Sequence, residues 1–337
     1  MRAKSAVKFF NVFGMTLKNI FMVKTKNTLK TDRTLGAANQ GTLPMPNKII
    51  TSSYHKAIVC MVLAYISIAL MGVFVKYASD ELPASEILFS RFLIGFVFLL
   101  PFMIRDGDFR VEMRQWPFLV IRNLAGIGSM LCTFYAIKYL PLSISILLLN
   151  TSALFVPVLL FLLRTRTPLK VIACSVLGFI GVAIILLTEH HGEVDPYYIF
   201  VALGGATLAA MAFISLQELN KHNSPKNIVF YFHLLGAILL PLFFMAQWTL
   251  PTAHGLFMLL LVGGFGLIFQ LLLTRAFKYA PANVITPFAF TGVIFSSVCD
   301  WLFWQNVPTV HFWLGSLVII VSVSLLARMR GQGKTKA

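Results

Sequence analysis

Ala136-Ile137-Lys138-Tyr139-Leu140-Pro141 recurs 140 residues further along as Ala276-Phe277-Lys278-Tyr279-Ala280-Pro281. Each copy closes a long apolar run and turns within three residues. The next run opens with Pro at the first helical position, where its missing N–H costs no hydrogen bond. The register continues: Thr151 matches Thr291, Pro168 matches Pro308, and Leu177-Gly178 matches Leu314-Gly315 after a three-residue gap. A six-residue match alone carries little weight. The same match inside equivalent hairpins, with matching punctuation beyond it, marks an internal duplication.

The runs flanking these hairpins are too apolar for water. Of 337 residues, 58% are hydrophobic and only 12% charged, about half the charge of an ordinary soluble domain. That excludes a disordered chain, and four Cys, all within apolar runs, exclude a disulfide scaffold. About 20 helical residues cross a bilayer core of ~30 Å. Cutting at charge, Pro and turn residues gives ten such runs: 57–77, 86–104, 117–137, 141–163, 168–188, 197–217, 227–247, 255–277, 281–303 and 309–327. Connections of 3 to 12 residues leave no room for a catalytic domain outside the membrane. Tyr77, Trp116, Tyr139, Tyr197, Trp248, Tyr279, Trp301 and Trp313 lie at or near run ends, as interfacial anchors do.

An even number of spans puts both termini on one side. Placing them in the cytoplasm assigns 24 of the 28 Lys and Arg to that face, while Asp80, Glu81, Glu86, Glu189, Glu193 and Asp195 fall opposite. The formal charge of +16 is therefore a topology signal, satisfying the positive-inside rule and favouring anionic lipid. No nucleic-acid partner is needed to explain it. Residues 1–56 carry ten basic side chains and one acid. They read as a disordered leader or, with Met45 beside the first span, as a mis-assigned start. Residues 328–337 read as a basic cytoplasmic tail.

A repeat of five spans is odd, so the second copy enters the membrane from the opposite side. The expected fold is an all-α polytopic membrane protein of ten transmembrane helices, arranged as two inverted five-helix repeats at 57–188 and 197–327. Inverted halves can exchange conformations, which is the physical basis of alternating access.

Phe134-Tyr135-Ala136-Ile137-Lys138-Tyr139-Leu140-Pro141, Arg91-Phe92, Pro157 and the Gly-containing last span of each half resemble the EamA-type transporters of the drug/metabolite transporter superfamily. The resemblance covers about residues 57–328. It implies ten helices, cytoplasmic termini, a cavity lined by the third and fourth spans of each half, and transport as a permease in the inner (plasma) membrane. Substrates in that superfamily include amino acids and related metabolites, S-adenosylmethionine and nucleotide sugars. One departure stands out: many relatives carry Gly-Glu after the fourth and ninth spans, where this chain has Leu163-Arg164 and Trp304-Gln305. Any role of those carboxylates is absent here.

Polar side chains inside spans are costly and therefore mark candidate sites. Arg122, Gly126, Ser129 and Thr133 share one face of the third span, and Ser143, Asn150 and Pro157 one face of the fourth. Close helix packing explains such stripes equally well. The candidate substrate contacts are Arg122, Ser129, Asn150 and Thr286, with Arg122 offering a forked pair of donors to a carboxylate or phosphate. Arg91 is expected to pair with Glu86 or a helix end. His233 and Asp300 are the candidate coupling groups. The Glu189-His190-His191-Gly192-Glu193 loop matches no closed metal site, and hydrolase, metalloprotease and nucleotide-binding motifs are missing. The chain thus reads as a cofactor-free secondary transporter, monomer or homodimer, for a small anionic or zwitterionic metabolite. A lipid-handling scaffold or sensor on the same fold is the alternative.

Overall fold

The computed structural model describes residues 47–107, 109–162, 169–188, 195–244, 248–280 and 285–332. Most of the basic leader, the 189–194 loop and the last five residues lie outside the described residues. Among the described residues all regular structure is helical: α1 (Asn47–Ala78), α2 (Ala84–Asp106), α3 (Trp116–Tyr139), α4 (Leu142–Asn150), α5 (Ser152–Leu162), α6 (Leu169–Thr188), α7 (Pro196–Leu219), α8 (Pro225–Phe244), α9 (Ala253–Tyr279), α10 (Thr291–Trp304) and α11 (Val310–Gln332). Short 3-10 segments precede α3 and α10. Six of these helices are long and apolar enough to cross a membrane, and four shorter apolar stretches complete the ten spans. Large apolar side chains such as Phe200, Leu242, Phe243 and Val310 stay exposed on these spans, as suits a lipid-facing surface.

Local chemistry sets the helix ends. Pro83, in extended conformation, precedes α2, and Gly107 closes it at φ 64° with its N–H on the Met103 carbonyl. Asp195 accepts from Tyr197 N at the start of α7, and Thr252 accepts from Gly255 N at the start of α9. Pro101 and Pro241 lie inside α2 and α8, 140 residues apart, so the duplication extends upstream of the hairpins.

Two spans expected to be continuous are interrupted. The fourth divides at Thr151 into α4 and α5, and the ninth passes through the 3-10 segment Thr286–Phe290 before α10 begins at Thr291. Each break carries the same local bond. Thr151 Oγ1 donates to Leu148 O at 2.5 Å, and Thr291 Oγ1 donates to Phe288 O at 2.7 Å. Donors and acceptors are repeat mates, and this bond competes with the regular backbone ladder.

Helix pairing carries the symmetry. α1 packs on α9 and α3 on α7; α2 packs on α8, α4 on α10, and α6 on α11. Exchanging the halves turns the first pair into the second and each of the others into itself. That is the packing of a pseudo-two-fold axis between two inverted repeats.

Candidate substrate site

The axis passes through the α2–α8 contact, where Phe92 meets its repeat mate Phe232 edge to face at 5.0 Å between ring centres. Glycines admit both rings: a Cβ on Gly236 would lie 2.6 Å from two Phe92 ring atoms, and one on Gly126 would lie 2.8 Å from Phe232 Cε2. Each ring carries an arginine. The Arg122 guanidinium lies 4.2 Å from the Phe232 ring centre, and that of Arg91 lies 5.3 Å from Phe92. Arg91 is 0% exposed and Arg122 3%. Arg91 Nη2 donates to Gly266 O across a long 3.4 Å, whereas its Nε and Nη1, and Arg122 Nε, have no partner.

The expected Arg91–Glu86 pair does not form, because Glu86 accepts from Thr249 N and Arg91 points instead at α9. Other acids among the described residues are engaged elsewhere or exposed at span ends. Asp106 pairs with Lys226 and Glu218 with Lys221, Glu81 accepts from Thr252, and Asp80 and Glu112 face outward. Inserting a central arginine costs about 2.5–3.5 kcal/mol. A cation–π contact offsets about 0.5–2 kcal/mol of that. Two such groups on one pair of rings are therefore under-stabilised, the condition that an anion would relieve.

Of the remaining candidates, His233 is wholly buried over Gly95, 5.6 Å from the Phe92 ring centre. Its Nδ1 bonds the Val229 carbonyl, which assigns the proton to Nδ1 and leaves Nε2 without a partner. Ser129 is buried on α3 with an unpartnered Oγ, and its carbonyl backs onto Gly205 of α7. Asn150, beside the first break, donates to Ala289 O at 3.1 Å while its Oδ1 is free. Thr286 lies in the 3-10 segment, and its side chain is outside the described residues. Asp300 is placed apart from the arginines: its two oxygens accept from Leu142 N at 3.1 Å and Ser143 N at 2.6 Å, capping α4. Each carboxylate oxygen thus holds one backbone donor of α4. Sequence reasoning passed over the Phe92–Phe232 pair, Gln270 and the packing of Arg91 on Gly266. Carrying the 140-residue offset upstream would have matched Phe92 with Phe232 and Gly126 with Gly266.

The family model for the EamA-like transporter family matches residues 55–187 and again 196–328. The chain belongs to this family. Among EamA-like relatives, it is 30% identical over 271 residues to the pseudopaline exporter CntI of Pseudomonas aeruginosa strain UCBPP-PA14, covering 80% of this chain and 95% of that one. It is 26% identical to a riboflavin transporter of Vibrio cholerae and 24% identical to an S-adenosylmethionine uptake transporter of Rickettsia prowazekii, each over 80% of this chain and 91% of the relative. A solved crystal structure shares the fold with a TM-score of 0.57 at 16% identity, covering 83% of this chain and 98% of that one. The EamA-like chain is thus an integral membrane transporter of small metabolites rather than an enzyme.

Proposed function

We propose that this protein is a secondary carrier that moves a small anionic or zwitterionic metabolite, of amino-acid or related type, across the cell inner membrane by alternating access, with both termini cytoplasmic. The observation that carries the reading is a buried guanidinium at the axis of two inverted halves, lacking a protein carboxylate among the described residues. Residues 57–188 and 197–327 would rock about that axis. Arg122 holds the acidic group of the solute, Ser129 and Asn150 offer neighbouring polar contacts, and Thr286 sits at the matching break of the ninth span. His233 is the coupling candidate; Asp300 serves closure. S-adenosylmethionine, named for several relatives, bears a sulfonium and an ammonium, which two guanidinium groups repel. A more acidic solute suits this site better.

The test is uptake into proteoliposomes across a panel of metabolites, read by mass spectrometry under imposed proton and sodium gradients. Saturable, solute-specific flux that falls at least tenfold in Arg122→Ala, with normal insertion, supports the carrier. Absence of flux for every solute under every gradient favours the scaffold or sensor.

A further inference from the structure

The carrier reading names Arg122 and says nothing of why a second arginine shares its site. The two guanidinium groups occupy pseudo-equivalent places: Arg122 rests on Phe232 beside Gly126, and Arg91 rests on Phe92 beside Gly266. Phe92 and Phe232 are repeat mates, as are Gly126 and Gly266. The arginines are not. Arg91 has Tyr231 as its mate and Arg122 has Val262. Duplication therefore did not copy one arginine into two. Unrelated positions in the first half deliver like charges to the two rings of the Phe92–Phe232 pair. Gln270, one helical turn beyond Gly266 and buried, adds an amide Nε2 without an acceptor. Unpartnered donors thus lie on α2, α3 and α9.

We propose that Arg91 and Arg122 are the two ends of one binding site, so that the transported solute carries two separated anionic groups, as a dicarboxylate or a carboxylate-phosphate does. This rests on the carrier reading and deepens it. One anionic group seats on each guanidinium, with the Phe92–Phe232 pair between them setting the spacing. A two-ended anion on a two-fold axis keeps both partners when the halves exchange conformations, whereas a monoanion leaves one buried charge unmatched in either state.

Thermal unfolding of the detergent-purified full chain tests this directly. Sodium malonate, succinate, glutarate and adipate are compared with acetate, propionate and butyrate, at equal carboxylate concentration and constant ionic strength. Dicarboxylates of one preferred length should raise the midpoint while monocarboxylates do not. Arg91→Gln and Arg122→Gln should each weaken the apparent dicarboxylate affinity about tenfold or more, to the monocarboxylate level. Arg91→Lys, which keeps the charge without the fork, should retain part of the preference. Equal stabilisation by both series, no stabilisation by either, or a preference surviving in Arg91→Gln overturns the proposal. The wild-type comparison decides by itself should a variant fail to fold. Saturable flux without dianion preference would sink the two-ended site and spare the carrier; dianion preference without flux would do the reverse.

Discussion

Gln305 holds a φ of 57°, the one positive value at a non-glycine position among the described residues. It ends α10: its N–H reaches Trp301 O at 3.2 Å, and Asn306 N reaches Asp300 O at 3.1 Å. A Cβ in the left-handed region costs roughly 1–2 kcal/mol, part of which glycine forfeits through its larger unfolded-state freedom. Gln305→Gly should therefore raise stability by about 0.5–1 kcal/mol, read as a higher midpoint of thermal unfolding in detergent, while Gln305→Val lowers it. Glycines at helix contacts respond in the opposite sense. Gly236→Ala drives a methyl into the Phe92 ring, whose atoms cannot bend away, and should cost about 1–3 kcal/mol. Gly264→Ala, with nothing within 4 Å of its Cβ, should leave the midpoint unchanged or raise it. Gly236 and Gly264 look alike in the sequence, since each sits in an apolar run of similar composition. Which of them receives an aromatic ring depends on the neighbouring helix, and no local pattern encodes that. Arg122 was legible as a candidate because a charge inside a span is conspicuous. Arg91 was misread because its partner is a backbone carbonyl 175 residues away.

α4 and α10 show how a break and a cap work together. The ten spans could be cut from hydropathy alone, but the interruptions at Thr151 and Thr291 could not, because a threonine in an apolar run has no local mark that its hydroxyl will take an i−3 carbonyl. α4 is short, and its first two N–H groups, of Leu142 and Ser143, are satisfied by Asp300 from the other half. Lys76 reinforces the same end: its ammonium lies 4.6 Å from the Trp304 ring centre and donates to Leu140 O. The opposite end has no polar counterpart at the mates of these residues, where Leu160 replaces Asp300 and Leu216 replaces Lys76. Asp300 of the second half thus ties the two halves together at the start of α4. Asp300→Asn keeps one acceptor and loses the charge and the second acceptor. It should cost about 1–3 kcal/mol of stability. A cysteine placed at Ser143, which is buried at this end, should then react faster with a membrane-impermeant maleimide than it does with Asp300 intact. An unchanged rate would show that the cap stabilises α4 without holding the end shut.

The whole molecule is governed by one operation, the exchange of an odd-numbered half with its inverted copy. Composition and run length were enough to read the lipid-facing class, and the hairpin repeat was enough to read the symmetry. The partners were hidden: that α1 lies on α9 and α3 on α7 follows from three-dimensional packing, and the repeat only requires that one of these pairings imply the other. This symmetry has a consequence open to direct measurement. Lys138 ends α3 and Lys278 ends α9, equivalent helices separated by five crossings, so their side chains belong to opposite faces of the membrane. Both are accessible, Lys138 half-buried and Lys278 exposed. With Cys60, Cys132, Cys174 and Cys299 replaced, Lys138→Cys and Lys278→Cys should react with an impermeant thiol reagent from opposite sides of sealed right-side-out and inverted vesicles. With cytoplasmic termini, Lys138→Cys labels from outside and Lys278→Cys only after inversion. The reversed pattern would turn the molecule over without disturbing the relation between its halves. Labelling of both from the same side would remove the inversion itself, and alternating access through exchange of the halves would fall with it.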